Sequence, residues 1–296
     1  MKRLSREKRV QVMAALCEGC SINAVVRMTG VSKPTILKLL VDMGHVCLNF
    51  EDRMLRDLPC RNIEADELWG FVHCKAKRAR TSKVTDRFIG SAWTWCAIDT
   101  KSKALISWLV GDRDQDHAKA FMHDLASRLA SRPQLTTDAL GIYQPAVKEA
   151  FNDLGCDYAI LHKTYAASTD EPHHYSPPKC VGCYKEAVMG RPVRENVSTS
   201  RVERFNLSVR MHQRRWTRLT NGHSKKFENM ESAFAVHSFY YNWIRKNMAH
   251  GKTPAQALGI ADKEWTVDDM VGLLEDREQE AIEAGFLKRG PYGPRS

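Results

Sequence analysis

The sequence lacks any apolar run near the ~20 residues that a membrane-spanning helix needs. Its start, Met1-Lys2-Arg3-Leu4-Ser5, has no apolar stretch of the kind a secretion signal carries. No membrane partner is therefore expected. There is no internal repeat and no long low-complexity segment, which excludes solenoids, propellers and fibrous arrays. A secreted disulfide framework is also missing: the nine cysteines are odd in number and scattered. With no signal ahead of them they read as reduced thiols of a cytosolic protein.

What is present is a chain of 296 residues, 43% hydrophobic, long enough for a substantial core plus an accessory domain. It carries a net charge of +10, with 45 Lys and Arg against 35 Asp and Glu. A basic balance attracts polyanions, nucleic acid or anionic membrane, without choosing between them. The charge is uneven. Residues 1–40 hold Lys2, Arg3, Arg6, Lys8, Arg9, Arg27, Lys33 and Lys38 against Glu7 and Glu18, and residues 200–226 hold eight more cations against Glu203 alone. Residues 262–283 reverse the sign, with nine acids. Two basic blocks suggest two nucleic-acid surfaces.

Three parts follow from the patterning: 1–55, 56–250 and a tail at 251–296. Val10, Met13, Ala14 and Cys17 recur at helical spacing, Ser21 is placed to cap a second helix, and Gly30 can take the positive φ of a tight turn. Ser32 and Pro34 then open a third short helix. This is a helix-turn-helix pattern, with Lys33, Thr35 and Lys38 on the exposed side of the reading helix as candidate DNA contacts. A plain packing bundle is the alternative.

In the middle part, 63–72, 93–99 and 104–110 read as strands and 115–130 as a helix. Strand 135–138, helix 145–154 and strand 158–161 follow. Three strands, helix, strand, helix, strand is the order of a ribonuclease H-like mixed α/β sheet (fold class α+β). The polar, Pro-rich 163–199 reads as a long insertion loop. The helices expected at 228–247 and 266–284 are an aromatic core element and an acidic amphipathic element. The latter is suited to a basic patch, a partner subunit or solvent.

Asp66 falls within the first strand and Asp138 at the end of the fourth. Such strands would be central neighbours, so their acids can converge. Glu64 and Glu67 flank Asp66, and alternation along a strand singles out Asp66. Ser200 and Glu203 have capping-box spacing at the start of a further helix, with Val202, Phe205 and Val209 as its packing stripe. On that helix Glu203, Arg210 and Arg214 share a face. Three carboxylates suffice for Mg²⁺, which prefers a few hard oxygens and keeps its waters. Two such ions activate a water or 3′-hydroxyl and stabilise the leaving oxygen of a phosphodiester. Asn206, Arg210, Arg214, Arg215, Arg218, Lys225 and Lys226 are further candidate DNA contacts, while Trp216 is better read as core. Cys180 and Cys183 have metal-knuckle spacing near His173 and His174. Zinc needs four ligands, so two free thiols in a polar loop is the expected state.

At Ala65-Asp66-Glu67-Leu68-Trp69-Gly70-Phe71-Val72, Leu135-Thr136-Thr137-Asp138 with Tyr143, and the run from Ser200 through Glu203, Asn206 and Arg210 to Ser224-Lys225-Lys226, the sequence resembles the insertion sequence one family of bacterial DDE transposases. Tyr240-Tyr241-Asn242 and Thr253-Pro254-Ala255 add to it. The resemblance implies a ribonuclease H-like catalytic domain with Asp66, Asp138 and Glu203 as catalytic metal ligands for Mg²⁺, replaceable by Mn²⁺. It also implies cleavage and strand transfer at element ends, and a homodimer or higher oligomer acting on double-stranded element-end and target DNA in the bacterial cytoplasm and nucleoid. Two features depart from the family: Ala139 stands where many members have Gly after the second Asp, and the N-terminus lacks the zinc-ribbon cysteines of many members. A metal-dependent nuclease without strand transfer and a DNA-binding regulator with an inert second domain are the competing expectations.

Overall fold

A computed structural model describes residues 4–79, 81, 88–165, 180–217 and 220–286. Arg218, His173, His174 and the Gly/Pro-rich end lie outside the described residues. The elements are α1 (Arg6–Cys17), α2 (Ile22–Thr29), α3 (Lys33–Met54), β1 (Asn62–Val72), α4 (Ala76–Ala79), β2 (Gly90–Asp99), β3 (Leu105–Gly111), α5 (Gln115–Ser127), β4 (Gln134–Asp138), α6 (Tyr143–Ala150), β5 (Asp157–Tyr165), β6 (Cys180–Met189), α7 (Ser200–His212), α8 (Phe227–Phe239), α9 (Pro254–Leu258) and α10 (Val267–Glu283). They form two compact units. The first comprises 1–55, 69–92 and 207–296, and the second 56–68 and 93–206.

The second unit is built on a six-stranded mixed sheet in the order β3-β2-β1-β4-β5-β6. β2 and β3 pair antiparallel, β1 and β4 parallel, β4 and β5 parallel, and β5 and β6 antiparallel. This arrangement fits a ribonuclease H-like sheet. Each strand of the parallel centre has an apolar or hydroxyl-bearing core, such as Leu135, Thr136 and Thr137, all buried. That is what strands covered on both faces require. α5 packs against β3 and α6, burying Ala118, Phe121, Met122 and Leu125. Each of the larger three contributes roughly 1.5–3 kcal/mol of transfer free energy.

Within the long loop expected over 163–199, β5 runs on to Tyr165 and Cys180–Met189 forms β6, while residues 166–179 lie outside the described residues. β6 is an edge strand, largely exposed from Cys180 to Tyr184, so neither face carries the apolar alternation that reveals a half-buried strand. Cys180 and Cys183 lie on it as exposed free thiols. No helix of the described residues is long and apolar enough to cross a membrane.

In the first unit α1, α2 and α3 follow one another, with Gly30 in the left-handed conformation (φ 70°) ending α2. The third helix is not short. Ile36, Leu39, Leu40, Met43, Val46, Cys47 and Phe50 continue one buried stripe for about four turns of a 22-residue helix. Gly44 does not interrupt it, because a Cβ there would come within 2.5 Å of the Ser232 Cβ. The glycine is what lets α3 and α8 approach. Ser32 does not cap α3 through its side chain; its hydroxyl meets Thr35 Oγ1 at 2.8 Å.

The helix expected over 228–247 changes at Tyr240 into one π-helical turn, Tyr240–Ile244, which buries four consecutive residues that a 3.6-residue period would spread over all sides. Trp243 and Phe239 reach Phe50, each at 5.3 Å between centroids. Acidic α10 docks on α1: Arg6 Nε donates to Asp268 at 2.9 Å and Arg9 pairs with Glu278 at 3.0 Å. These two N-terminal cations are thus paired with acids of α10.

Candidate active site

Asp66, Asp138 and Glu203 all belong to the second unit and line one cavity of it. β1 and β4 are the central pair, in parallel register with Glu64 opposite Thr136. Asp66 and Asp138 lie two residues beyond the last pair of that register, each on its own strand. Glu203 comes from the first turns of α7. Asp66, Asp138 and Glu203 line one cavity of about 530 Å³, whose wall also carries Arg113, Lys163 and Thr199.

Each carboxylate is held. Asp66 Oδ2 accepts from Asn206 Nδ2 at 2.9 Å, and Asp138 Oδ1 accepts from the Leu140 backbone N–H at 3.0 Å. Glu203 Oε1 accepts from the Thr199 hydroxyl at 2.7 Å and forms an ion pair with Lys163. Burial first, then the negative charges of Glu67 and Asp138, push the Asp66 carboxyl up to about 7 against the opposing pull of Lys163.

The helix that presents Glu203 is anchored by a residue the alternation argument had set aside. Glu64 lies two residues before Asp66 and so shares its face of β1. Fully buried, its Oε2 accepts from the N–H groups of Arg201 at 2.7 Å and Val202 at 3.0 Å, and its Oε1 meets Arg201 Nη1 at 3.1 Å. A β1 carboxylate thus satisfies the open N–H groups of α7, in place of the Ser200–Glu203 capping box expected from spacing. Glu203 lines the cavity, held there by Thr199 and Lys163. Glu67, on the opposite face, accepts from the Tyr143 hydroxyl at 2.8 Å and from Arg113 Nε at 2.6 Å. Burial and Asp138 raise its carboxyl above the ordinary range.

Asn206 is buried against Asp66 and does not sit on an exposed DNA-facing surface. Val202, Phe205 and Val209 form the buried stripe of α7, as their spacing requires. The helix ends at His212, so Arg214 follows it and does not extend the face of Glu203 and Arg210. In the first unit, Lys33 is exposed at the first position of α3, and Lys38 is held by Asp42 at 2.8 Å. Arg215 donates to Ser224 at 2.7 Å, Lys225 and Lys226 are exposed, and Trp216 is buried against Phe234. The residues missed in the sequence are Lys163, Arg113 and Glu64. Lys163 had a readable signal: Asp138 pairs with Leu161 on β5, and Lys163 is two residues further along the same pleat.

The donor set suits a hard divalent cation: three carboxylates on one cavity, with no thiol or imidazole among its walls. The acids are not drawn tightly together. Among the described residues the group whose ligand atoms all lie within 4.8 Å of one another is Asp112, Asp114 and His117. That group has a local explanation, since Asp114 caps α5 through the His117 N–H at 2.9 Å and bonds the His117 ring at 2.7 Å.

No protein-family model matches the chain, and no curated protein matches it. Among solved structures it is similar to a chain in the cryo-EM structure of a piggyBac transposase synaptic complex with hairpin DNA. That match has 11% sequence identity and a TM-score of 0.41, over 98% of this chain and 77% of that one. A likeness this distant carries no weight in assigning the chemistry.

Proposed function

We propose that the chain is a DNA transposase of the DDE type. In this reading it binds the ends of an insertion sequence and cuts and joins DNA strands at Asp66, Asp138 and Glu203, within a ribonuclease H-like domain. The observation that carries the reading is the convergence of three carboxylates, from two adjoining central strands and the helix behind them, on one cavity. The sequence motifs around these acids support it. Mg²⁺, or Mn²⁺ in its place, held by these carboxylates would supply an activated water or 3′-hydroxyl and a stabilised leaving oxygen.

The protein's own groups do the positioning. Asn206 orients Asp66, the Leu140 N–H orients Asp138, and Glu64 sets the start of α7 and with it Glu203. Lys163 neutralises Glu203 and is placed, with Arg113, where a scissile phosphate would approach. Helices α1 to α3 would serve as the end-binding helix-turn-helix, using Lys33, Thr35 and Lys38. Arg210, Arg214, Arg215, Arg218, Lys225 and Lys226 would meet the backbone. Two element ends call for at least a homodimer, and the DNA substrate for a bacterial cytoplasmic, nucleoid-associated location.

The test incubates the full chain with labelled duplexes from the two flanks of its own coding sequence, a target plasmid and Mg²⁺. Joined products are expected. Asp138→Asn should bind the duplex normally and cut at least ~10²-fold more slowly, the scale of losing one transition-state stabiliser. Cut ends without joined products identify a nuclease. Binding without cutting by either protein identifies a DNA-binding regulator.

A further inference from the structure

A second cavity, of about 220 Å³, lies wholly within the first unit. It is bounded by the start of α2, Lys33 of α3, the segment that follows α7, and Asn229 of α8. Its wall carries Lys33, Arg214, Arg215 and Lys225 with His212 and His223, and no Asp or Glu. None of the four cations is paired with a carboxylate among the described residues. Arg215 donates to the Ser224 hydroxyl and Lys225 meets His223 Nε2 at 2.8 Å. A cationic cavity with no acid in its wall differs from a solvated basic face, where carboxylates are normally interspersed.

Three independent features point to an anion. Burial alone pulls the Arg215 guanidinium down to about 10, so a negative group beside it would recover what desolvation costs. The Ser21 hydroxyl caps the Ala24 N–H at 3.2 Å, so the Ile22 and Asn23 N–H groups of α2's first turn remain at the positive end of the helix. Asn229 Oδ1 is buried at the wall with no hydrogen-bond partner among the described residues. The Asn229 amide can turn its NH₂ toward an acceptor instead. The volume is below the ~300 Å³ at which small-molecule pockets begin, so the cavity suits a single tetrahedral anion and not a nucleotide.

We propose that this cavity grips one backbone phosphate of duplex DNA. It thereby joins Lys33 of the candidate reading helix and the arginines after α7 into one contact that fixes the register of the helix on the duplex. The proposal rests on the DNA-binding part of the reading above. A phosphate contact of this kind orients the protein and is indifferent to base sequence.

The test is binding of the full chain to a labelled flank duplex, by fluorescence anisotropy, across a salt series. Arg215→Gln and Lys225→Gln should each weaken binding about five- to tenfold and flatten the slope of log affinity against log salt by about 1, the release of one phosphate's counterion. Lys263→Gln, an equal change of charge away from the cavity, should leave the slope unaltered. Urea midpoints equal to the parent's confirm that the variants are folded, and Lys225, being exposed, is the safer of the two.

Unchanged slopes in both folded variants would overturn the proposal. So would calorimetric binding of inorganic phosphate that both variants abolish while DNA affinity stays at the parent's value, since the cavity would then be a free-anion site. If the parent chain fails to bind any duplex, the transposase reading falls as well. If the parent binds and the variants match it, only the cavity assignment falls.

Discussion

Replacing Glu64 tests how the sheet aims the helix that carries Glu203. Its carboxylate is the acceptor for two backbone N–H groups of α7, at 2.7 and 3.0 Å, and is itself fully buried. Hydrogen bonds to a charged group contribute ~1.5–3 kcal/mol each, and an unsatisfied buried N–H costs a similar amount. A negative charge at a helix N-terminus adds ~0.3–1 kcal/mol. Arg201 loses a partner too, but it is 43% exposed and water replaces most of that interaction. Glu64→Ala should therefore destabilise the chain by about 3–5 kcal/mol, and Glu64→Gln, which keeps an acceptor oxygen without the charge, by about 1–2 kcal/mol. Urea unfolding followed by far-ultraviolet circular dichroism measures both. Activity separates the roles: Glu64→Gln should lose more in cutting rate than in duplex affinity, because the helix start shifts while the first unit is untouched. An Ala variant with an unchanged midpoint, or a Gln variant whose binding falls as far as its cutting, would refute the anchoring role.

Lys163→Gln removes the ion pair that occupies Glu203, so Mn²⁺ affinity should rise about two- to fivefold, the equivalent of ~0.5–1 kcal/mol, as read by electron paramagnetic resonance titration. No gain in affinity would remove Lys163 from the site. Gly44→Leu should cost about 1–3 kcal/mol by forcing α3 from α8, and Ser232→Gly should restore part of it, since the clash is with that residue. Additive loss in the double variant would contradict the close approach. His237 is buried and its ring is held neutral, its pKa brought down to about 3 by burial, His212 and Arg245. The unfolded chain takes up that proton near ~6.5, so unfolded molecules bind more protons between the two values. Stability is full above that window and is lost as pH falls through it. His237→Phe should flatten the acid limb of a stability–pH curve, and an unaltered limb would contradict the assignment.

Much of the candidate site was legible because its signals are periodic. Asp66 and Asp138 end or interrupt apolar runs, and Val202, Phe205 and Val209 announce which side of α7 packs. What was hidden depends on partners distant in sequence. Glu64 looked like a neighbour to be dismissed, yet two residues along a strand is the same face, and its partners are 137 and 138 residues away. Lys163 sat in a stretch read as loop, because the end of β5 from His162 to Tyr165 is polar and half-buried to exposed, without apolar alternation. Asn206 looked like a surface amide until the strand beneath it supplied Asp66. The length of α3 was underestimated at Gly44, where a residue that usually weakens helices instead permits contact with α8.

Anomalous diffraction from crystals of the full chain soaked in Mn²⁺ tests the carboxylate site most directly. Density is expected between Asp66, Asp138 and Glu203, with the Lys163 ammonium displaced from Glu203. Manganese bound only at Asp112, Asp114 and His117, or absent from the shared cavity at saturating concentration, would contradict the assignment of those three acids as the catalytic centre.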